Sequence, residues 1–360
     1  MTRPARAVIS LSALQHNLRA VREAAPQARV MAVVKADGYG HGICSVARGL
    51  ESADGFAVAC MDEAVGLREA GFSKPITVLG GFSTARELDV VRSNALDVVV
   101  HHESQLTLLE GAAIGDPIVV WLKIDTGMHR LGFGIDAARA AYERLRNCRA
   151  VVQPVRLLTH LACADDRDDP TTAIQLQEFA RVSAAWSAPR SIANSGGILG
   201  WPDSHADWVR PGIMLYGVSP FCRGIGAELG LRPVMTLRSE LIAVNRQARG
   251  ARIGYGGTWQ CPEDMPVGVV AIGYGDGYPR HASSDTPILV NGKRVALIGR
   301  VSMDMVTVDL RTQPQAHPGD PVVLWGDGLP VEEVAASAGT IAYELLCGVT
   351  RRVKHEVVLD

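Results

Sequence analysis

Lys35 stands where a side chain can become a nucleophile. The apolar run Val30-Met31-Ala32-Val33-Val34 has the length and β-branching of a buried strand, and Lys35 closes it. The glycine-rich stretch Gly38-Tyr39-Gly40-His41-Gly42 follows almost at once. An ammonium at such a strand end lies in a partly dry mouth, where lost hydration lowers its pKa and frees the amine for Schiff-base chemistry. A lysine there can equally snorkel to solvent without chemistry, so the weight rests on motifs further along the chain. Asn194-Ser195-Gly196-Gly197 and Val209-Arg210-Pro211-Gly212-Ile213 each set a strand end beside glycine, where free backbone N–H groups can gather round an anion. Two such turns on neighbouring late strands suit a phosphorylated ligand.

Other clusters are more open. Lys123-Ile124-Asp125-Thr126-Gly127-Met128-His129-Arg130 puts cations and an acid about a tight turn. It is either a structural Lys123–Asp125 pair or an arginine presented over the site and held by Lys123. His160 ends a strand beside Asp165-Asp166-Arg167-Asp168-Asp169, whose consecutive acids lack metal-ligand spacing and read as a solvated loop. Ile253-Gly254-Tyr255-Gly256-Gly257 and Ile272-Gly273-Tyr274-Gly275 flank a tyrosine with glycines. Each is a surface turn with an aromatic plug or a loop that brings a phenol to a ligand. Neither fits the dinucleotide fingerprint.

The elements that must position these residues alternate regularly. Leucines and valines at helical spacing mark Leu11 to Ala25 as an amphipathic helix, and strand and helix patterns then follow one another with short connections. About eight strand candidates precede residue 215, and the polar groups fall at their C-terminal ends. Beyond Tyr216 the texture changes to shorter strands separated by Gly, Pro and Asp, with a hairpin turn at Asn291-Gly292. The expected fold is α/β: an N-terminal (β/α)8 TIM-like barrel over residues 10–225, then a C-terminal mostly β domain over 226–360. Residues 1–9 are a candidate additional strand for the second domain.

Bulk composition narrows the function classes. Lys and Arg number 36 against 38 Asp and Glu, without long runs of either sign, which argues against nucleic acid or an anionic membrane as partner. No apolar segment approaches the ~18 residues of a membrane span, and Ala7-Val8-Ile9 is too short for a signal core. The seven cysteines form no CxxC pair, so neither a disulfide framework nor a metal site is expected, and the protein reads as cytoplasmic. Cys44, Cys60 and Cys347 read as small buried hydrophobes.

Taken together, the motifs resemble bacterial alanine racemase, a fold-type III pyridoxal-phosphate family, and are most similar to its proteobacterial catabolic branch. The similarity spans the chain: Val33 to Gly42, Lys123 to Phe133, His160, Asn194-Ser195, Val209 to Tyr216, Gly254 to Thr258, Ile272 to Tyr278, Arg300 to Asp304 and Tyr343-Glu344. The resemblance implies that Lys35 holds pyridoxal 5'-phosphate and acts as one base. Tyr255, delivered by the other subunit of a homodimer, would be the base on the opposite face. Two opposed bases are what racemisation of L- and D-alanine requires. Arg210 would hydrogen-bond the pyridine nitrogen and, unable to give up its proton, would keep the ring a modest electron sink; His160 would orient it. Arg130 would contact the cofactor's phenolic oxygen and the substrate carboxylate, and Lys123 would be a carbamylation candidate that then pairs with Arg130. Asn194 would belong to the cofactor-binding turn, with the phosphate among Tyr39, Ser195, Gly212, Ile213 and Tyr343. Met303 would offer a backbone N–H to the substrate carboxylate. Tyr274 and Tyr343 would narrow the approach, with Asp165, Arg280 and Arg300 further out.

Gly275 stands where the family more often has alanine, and Ser302 where cysteine is frequent. Neither removes a proton-transfer or cofactor contact. A racemase for serine or another small amino acid and a non-catalytic pyridoxal-phosphate carrier are the alternative readings. A carrier would resemble the barrel alone, and this chain continues into a domain bearing Tyr255 and Met303.

Overall fold

Eight short parallel strands enclose the first domain of the computed structural model, which describes residues 3–113 and 115–359. They are Arg29–Val33, Gly55–Val58, Ile76–Val78, Asp97–Val100, Val120–Asp125, Arg156–Leu158, Arg190–Ser191 and Trp208–Val209. Each pairs with the next, and Trp208–Val209 pairs back onto Arg29–Val30, closing a barrel. Strands such as Asp97-Val98-Val99-Val100 are buried at every position, because helices cover the outside and packed side chains fill the inside. The helix Leu11–Ala24 shows how locally this is specified. The Ser10 hydroxyl accepts the Ala13 N–H at 3.1 Å, capping it, and Leu14, Leu18 and Val21 form its buried stripe.

The second domain is built round Met235–Gln247, a long strand bent by irregularities at Leu237/Arg238 and Leu241/Ala243. The bends let one strand serve two sheets: it pairs antiparallel with Arg6–Ser10 and Pro321–Trp325 at one end and with Met265–Val270 at the other. Lys354–Val358 lies parallel to Arg6–Ser10, so both ends of the described chain meet in this domain. Asn291 and Gly292 both adopt positive φ, 50° and 72°, turning Pro287–Val290 into Lys293–Ala296. One apolar core runs through both domains, from Leu14 and Tyr216 to Ile9 and Trp325.

Three local expectations change. The first barrel strand ends at Val33, and Lys35 opens the turn that follows instead of closing the strand. Cys60 and Cys347 are exposed and Cys44 is half-buried, whereas Cys261 is the cysteine that is buried. The helical neighbourhoods that suggested burial place these thiols on the outward or site-facing side. Between Pro220 and Gly230, where the glycine-containing sequence reads as a linker, the chain instead carries the 3-10 turn Gly226–Leu229. Among the described residues no helix is long and apolar enough to cross a membrane.

Candidate active site

Lys35 is followed by a left-handed helical turn. Ala36, Asp37, Gly38 and Tyr39 have φ of 53°, 53°, 64° and 52°, and Gly40 continues at 77°. For three non-glycine residues this costs on the order of 3–6 kcal/mol. The turn is held by a matching number of hydrogen bonds, each contributing roughly 1 kcal/mol. Gly38 donates to Val34 O at 2.9 Å, Ala36 to the Glu63 carboxylate at 2.7 Å, and Ile43 to the Asp37 carboxylate at 2.8 Å. His41 Nδ1 donates to Tyr39 O at 2.8 Å, and His355 Nε2 donates to Gly40 O at 2.9 Å. Burial holds His41 neutral, its pKa pushed down to about 4. Gly40 is required because the C-terminal helix Ala342–Cys347 lies against it: a Cβ there would sit 2.1 Å from Leu346 O.

The barrel mouth gathers cations. Lys35, Lys123, Arg130 and Arg210 each depress the pKa of His160, which burial already holds well below its ordinary value. Lys123, nearly buried, is lowered to about 8 by burial and by Arg210 and Arg130. Lys35 is lowered by burial and then by Arg130, with Glu63 opposing. Arg210 is fully enclosed, and burial brings even its guanidinium down to about 10. It donates from Nη1 to Ser191 Oγ at 2.6 Å and from Nη2 to Thr159 O at 2.6 Å, to Ile192 O at 3.1 Å and to His160 Nδ1 at 3.4 Å. Its Nε has no acceptor among the described residues. A neutral His160 accepting from Arg210 is what their shared burial requires.

Beside this cluster lies a pocket of backbone donors. Ser195 opens the short helix Ser195–Gly200, which Asn194 caps by accepting the Gly197 N–H at 2.9 Å. The Ser195 hydroxyl oxygen accepts the Gly212 N–H at 2.9 Å. Ile213 begins a 3-10 turn, so its N–H has no partner within that turn. A Cβ at Gly212 would lie 2.6 Å from the Tyr39 hydroxyl oxygen, so only glycine admits this approach. The Tyr39 ring stacks on Tyr216 at 4.6 Å and meets Tyr343 at 6.1 Å. Permanent cations, the Ile213 N–H, the Ser195 hydroxyl and phenols make a donor set suited to an anionic, phosphorylated, aromatic ligand. These residues fit pyridoxal phosphate.

The Lys123–Arg130 stretch resolves differently from either expectation. Asp125 does not pair with Lys123; its Oδ1 accepts the N–H groups of Gly127, Met128 and His129, each at 3.0 Å. The carboxylate thereby builds the turn that presents Arg130, and His129 takes a positive φ of 54° within it. As an ammonium, Lys123 repels Arg130 instead of holding it.

The remaining candidates lie apart in a single chain. Tyr255 is 67 % exposed on a turn of the second domain, and the charged neighbours of Lys35 within the chain are Arg130, Glu63, Cys347 and Arg210. Arg300 lies against the Tyr255 turn, because a Cβ at Gly256 would meet its Nη1 at 3.3 Å. Tyr274 and Met303 are 39 % and 51 % exposed, on turns joined by the Tyr274 N–H to Ser302 O at 3.0 Å and the Gly275 N–H to Met303 O at 2.8 Å. Arg3 ties the two turns by donating to the buried Asp276 carboxylate and to Asp304. Arg280 is exposed, without a partner among the described residues. Asp165 is also exposed; it accepts the Cys222 thiol at 3.1 Å and, after burial, helps push the Tyr343 phenol up to about 12. Sequence reasoning missed Glu63 and Gln175. Gln175 bridges the ends of two strands, donating to Thr126 Oγ1 at 3.2 Å and to His160 O at 3.0 Å and accepting the Ala162 N–H at 2.8 Å. Neither sits in a motif; a glutamate in the first turn of the helix after the second strand was the one available signal.

The closed barrel, the lysine after its first strand and the donors at its last strands define a two-domain barrel protein whose site residues suit a phosphorylated aromatic group. Residues 9–220 match the family model described as alanine racemase, N-terminal domain, and residues 234–357 match alanine racemase, C-terminal domain. The chain is 57 % identical over 347 residues to an alanine racemase from Nitrosococcus oceani, covering 96 % of this chain and 97 % of that one. It is 52 % identical over 359 residues to that of Halorhodospira halophila, covering 99 % of both. Among solved structures, the biosynthetic alanine racemase of Pseudomonas aeruginosa superposes with a TM-score of 0.96 at 46 % identity, covering 99 % of this chain and all of that one. The chain belongs to the alanine racemase family.

Replacing Asp125 by alanine releases three backbone N–H groups and frees the Arg130 turn. The expected result is a rise in KM for L-alanine on the order of tenfold, the scale that misplaced substrate-positioning groups produce. An unchanged KM in steady-state kinetics contradicts this role.

Proposed function

We propose that the protein interconverts L-alanine and D-alanine with pyridoxal phosphate bound at Lys35, moving the α proton between two bases on opposite faces of the substrate. The observation that carries this reading is the four-cation mouth, in which a lysine of lowered pKa stands beside an anion pocket in a chain of the alanine racemase family. The cofactor, when bound, supplies a sink for the electron pair left at Cα. Everything else falls to the chain. Lys35 is one base: its lowered pKa leaves a larger share of neutral amine able to accept a proton. Tyr255 of the partner subunit is the other, which makes the working unit a homodimer with shared sites. A phenol ionises near pH 10, so Tyr255 depends on cationic neighbours to act at neutral pH.

Arg210 would hydrogen-bond the ring nitrogen of the cofactor without surrendering its proton, which would keep electron withdrawal modest and disfavour decarboxylation and transamination. His160, neutral, fixes the guanidinium. Tyr39, Ser195, Gly212, Ile213 and Tyr343 would enclose the phosphate, and Asn194 caps the turn that carries Ser195. Arg130 and the Met303 N–H receive the substrate carboxylate. Tyr274, Asp165, Arg280 and Arg300 shape the approach, and the bulk of Tyr274 and Tyr343 favours a methyl-sized side chain. We assign residues 10–225 to the cofactor-binding barrel and 226–360 to the domain that carries Tyr255. Seven free cysteines suit a reducing compartment, so the enzyme works in the cytoplasm. There it supplies D-alanine for peptidoglycan or consumes it.

In D2O, the holoenzyme is expected to convert L-alanine to D-alanine bearing α-deuterium, read by proton NMR and chiral chromatography. A Tyr255→Phe enzyme keeps one base. It is expected to lose at least 100-fold in racemisation, within the range attributed to a single general base, while still exchanging the α proton of one enantiomer. Equal exchange of both enantiomers by that variant rules out the two-base assignment.

Lys123 carries a second expectation, that CO2 converts its amine to a carbamate that pairs with Arg130 instead of repelling it. Only the neutral amine reacts, and with a pKa of about 8 roughly one Lys123 in ten is neutral at pH 7. With 13C-bicarbonate, a carbamate signal should therefore grow as pH rises from 7 to 8.5 and be absent in Lys123→Arg. A wild-type protein without that signal at pH 8.5 contradicts the assignment.

A further inference from the structure

Glu63 lies in the first turn of the helix Met61–Glu69, directly after the second barrel strand, and both its carboxylate oxygens are engaged. Oε1 accepts the Ala36 N–H at 2.7 Å, and Oε2 accepts the Ala59 N–H at 2.8 Å. Ala36 follows Lys35 and begins the left-handed turn; Ala59 follows the end of the strand Gly55–Val58. The backbone ladder between the first two strands reaches only to the Val34 N–H, which donates to Ala57 O at 2.9 Å. Beyond that rung the left-handed turn takes the first strand out of register with the second. The carboxylate replaces the missing rung at the residue next to the reactive lysine.

Glu63 also stands in the electrostatics of Lys35. Arg130 and Arg210 oppose a positive charge on the Lys35 nitrogen, whereas Glu63 and then Cys347 favour it. Lys123 and His160 share the same mouth, the lysine as a further cation and the histidine as a neutral ring. Glu63 is therefore the carboxylate in that set, and two permanent guanidinium charges stand against it.

We propose that Glu63 is a positioning residue for Lys35. It fixes the backbone from which the amine projects and supplies the negative charge that keeps the Lys35 nitrogen protonatable among its cationic neighbours. The inference rests on the reading of Lys35 as the lysine that bears pyridoxal phosphate. It explains why a strained turn can seat a reactive group without drifting: the turn is bonded across to the neighbouring strand as well as within itself. A backbone rung could hold the turn, but it could not also balance charge.

The test compares Glu63→Gln and Glu63→Asp holoenzymes with wild type. Glutamine keeps the size and one acceptor but presents an amide N–H2 to a backbone N–H and removes the charge. For Glu63→Gln, kcat on L-alanine should fall at least tenfold with KM within about threefold, the pattern of a group acting on the chemical step. The pH at which the visible absorbance of the bound cofactor titrates should move down by about one unit. Glu63→Asp keeps the charge and should move that transition less than glutamine does. A role confined to folding would lower the melting temperature without moving the transition. A Glu63→Gln enzyme with wild-type kcat, or with an unmoved transition, overturns the inference. Where the glutamine variant does not fold, the aspartate variant carries the test: one methylene shorter, it cannot span the Ala36 and Ala59 N–H groups together, so its kcat should fall while the transition moves little, and a wild-type kcat overturns the inference. Borohydride reduction of the wild-type holoenzyme followed by peptide mapping separates the two layers: a pyridoxyl group on any lysine other than Lys35 removes the underlying reading, whatever the Glu63 variants do.

Discussion

Four cationic side chains converge on the mouth of one barrel, and the rest of the site follows from their lost hydration, to which mutual repulsion adds. In a partly dry space, like charges cannot all persist. The groups that can release a proton are pushed toward neutrality: Lys123 to about 8, His160 far below its ordinary range, and Lys35 downward. The guanidinium groups stay charged, even at Arg210, where burial is complete. A division of labour results. The arginines keep a fixed charge, the lysines can exchange a proton, and the histidine stays neutral and accepts from Arg210. Lost hydration and repulsion together are why the phosphate of the proposed cofactor, and a carbamate on Lys123, would relieve the cluster.

The second constraint is geometric. A lysine at the end of a regular strand would follow the strand's direction. The left-handed turn after Lys35 instead folds Tyr39 back onto Tyr216 and within reach of Gly212, so one short segment serves both the reactive amine and the anion pocket. Strain of this kind persists only where the surroundings over-determine it. Here Glu63, Asp37, His41 and His355 each bond to the turn or from it. Through His355 and the helix Ala342–Cys347 the second domain helps to hold the turn in the first.

Much of this was legible in the sequence, and the part that was not has physical reasons. The barrel could be read because parallel strands buried on both faces leave uninterrupted apolar runs, as in Asp97–Val100. Lys35, Arg210 and Ser195 could be singled out because reactive or anion-binding groups beside glycine carry a local signature. The left-handedness of the Lys35 turn carried none, since Ala36, Asp37 and Tyr39 are ordinary residues forced positive by tertiary bonds. The role of Asp125 was misjudged because a lysine and an acid two residues apart share one face of a strand and so suggest a pair, yet Asp125 is the last residue of its strand and the three N–H groups of the following turn take its carboxylate. The three cysteines were misplaced because helical spacing tells which residues are apolar neighbours but not which side faces a cavity.

A single chain supplies Lys35 as the barrel-mouth base of the proposed reaction and leaves Tyr255 exposed on the other domain. In the proposed reaction the second base therefore comes from a second copy, and the central claim is that every working site is assembled from two chains. The most direct measurement mixes two separately inactive proteins, Lys35→Ala and Tyr255→Phe, under conditions that allow subunits to exchange. Half of a random mixture is heterodimer, and each heterodimer holds one intact site, so racemase activity should climb toward about a quarter of wild type. A mixture no more active than its components, with exchange confirmed by mass-tagged subunits, would contradict the shared site.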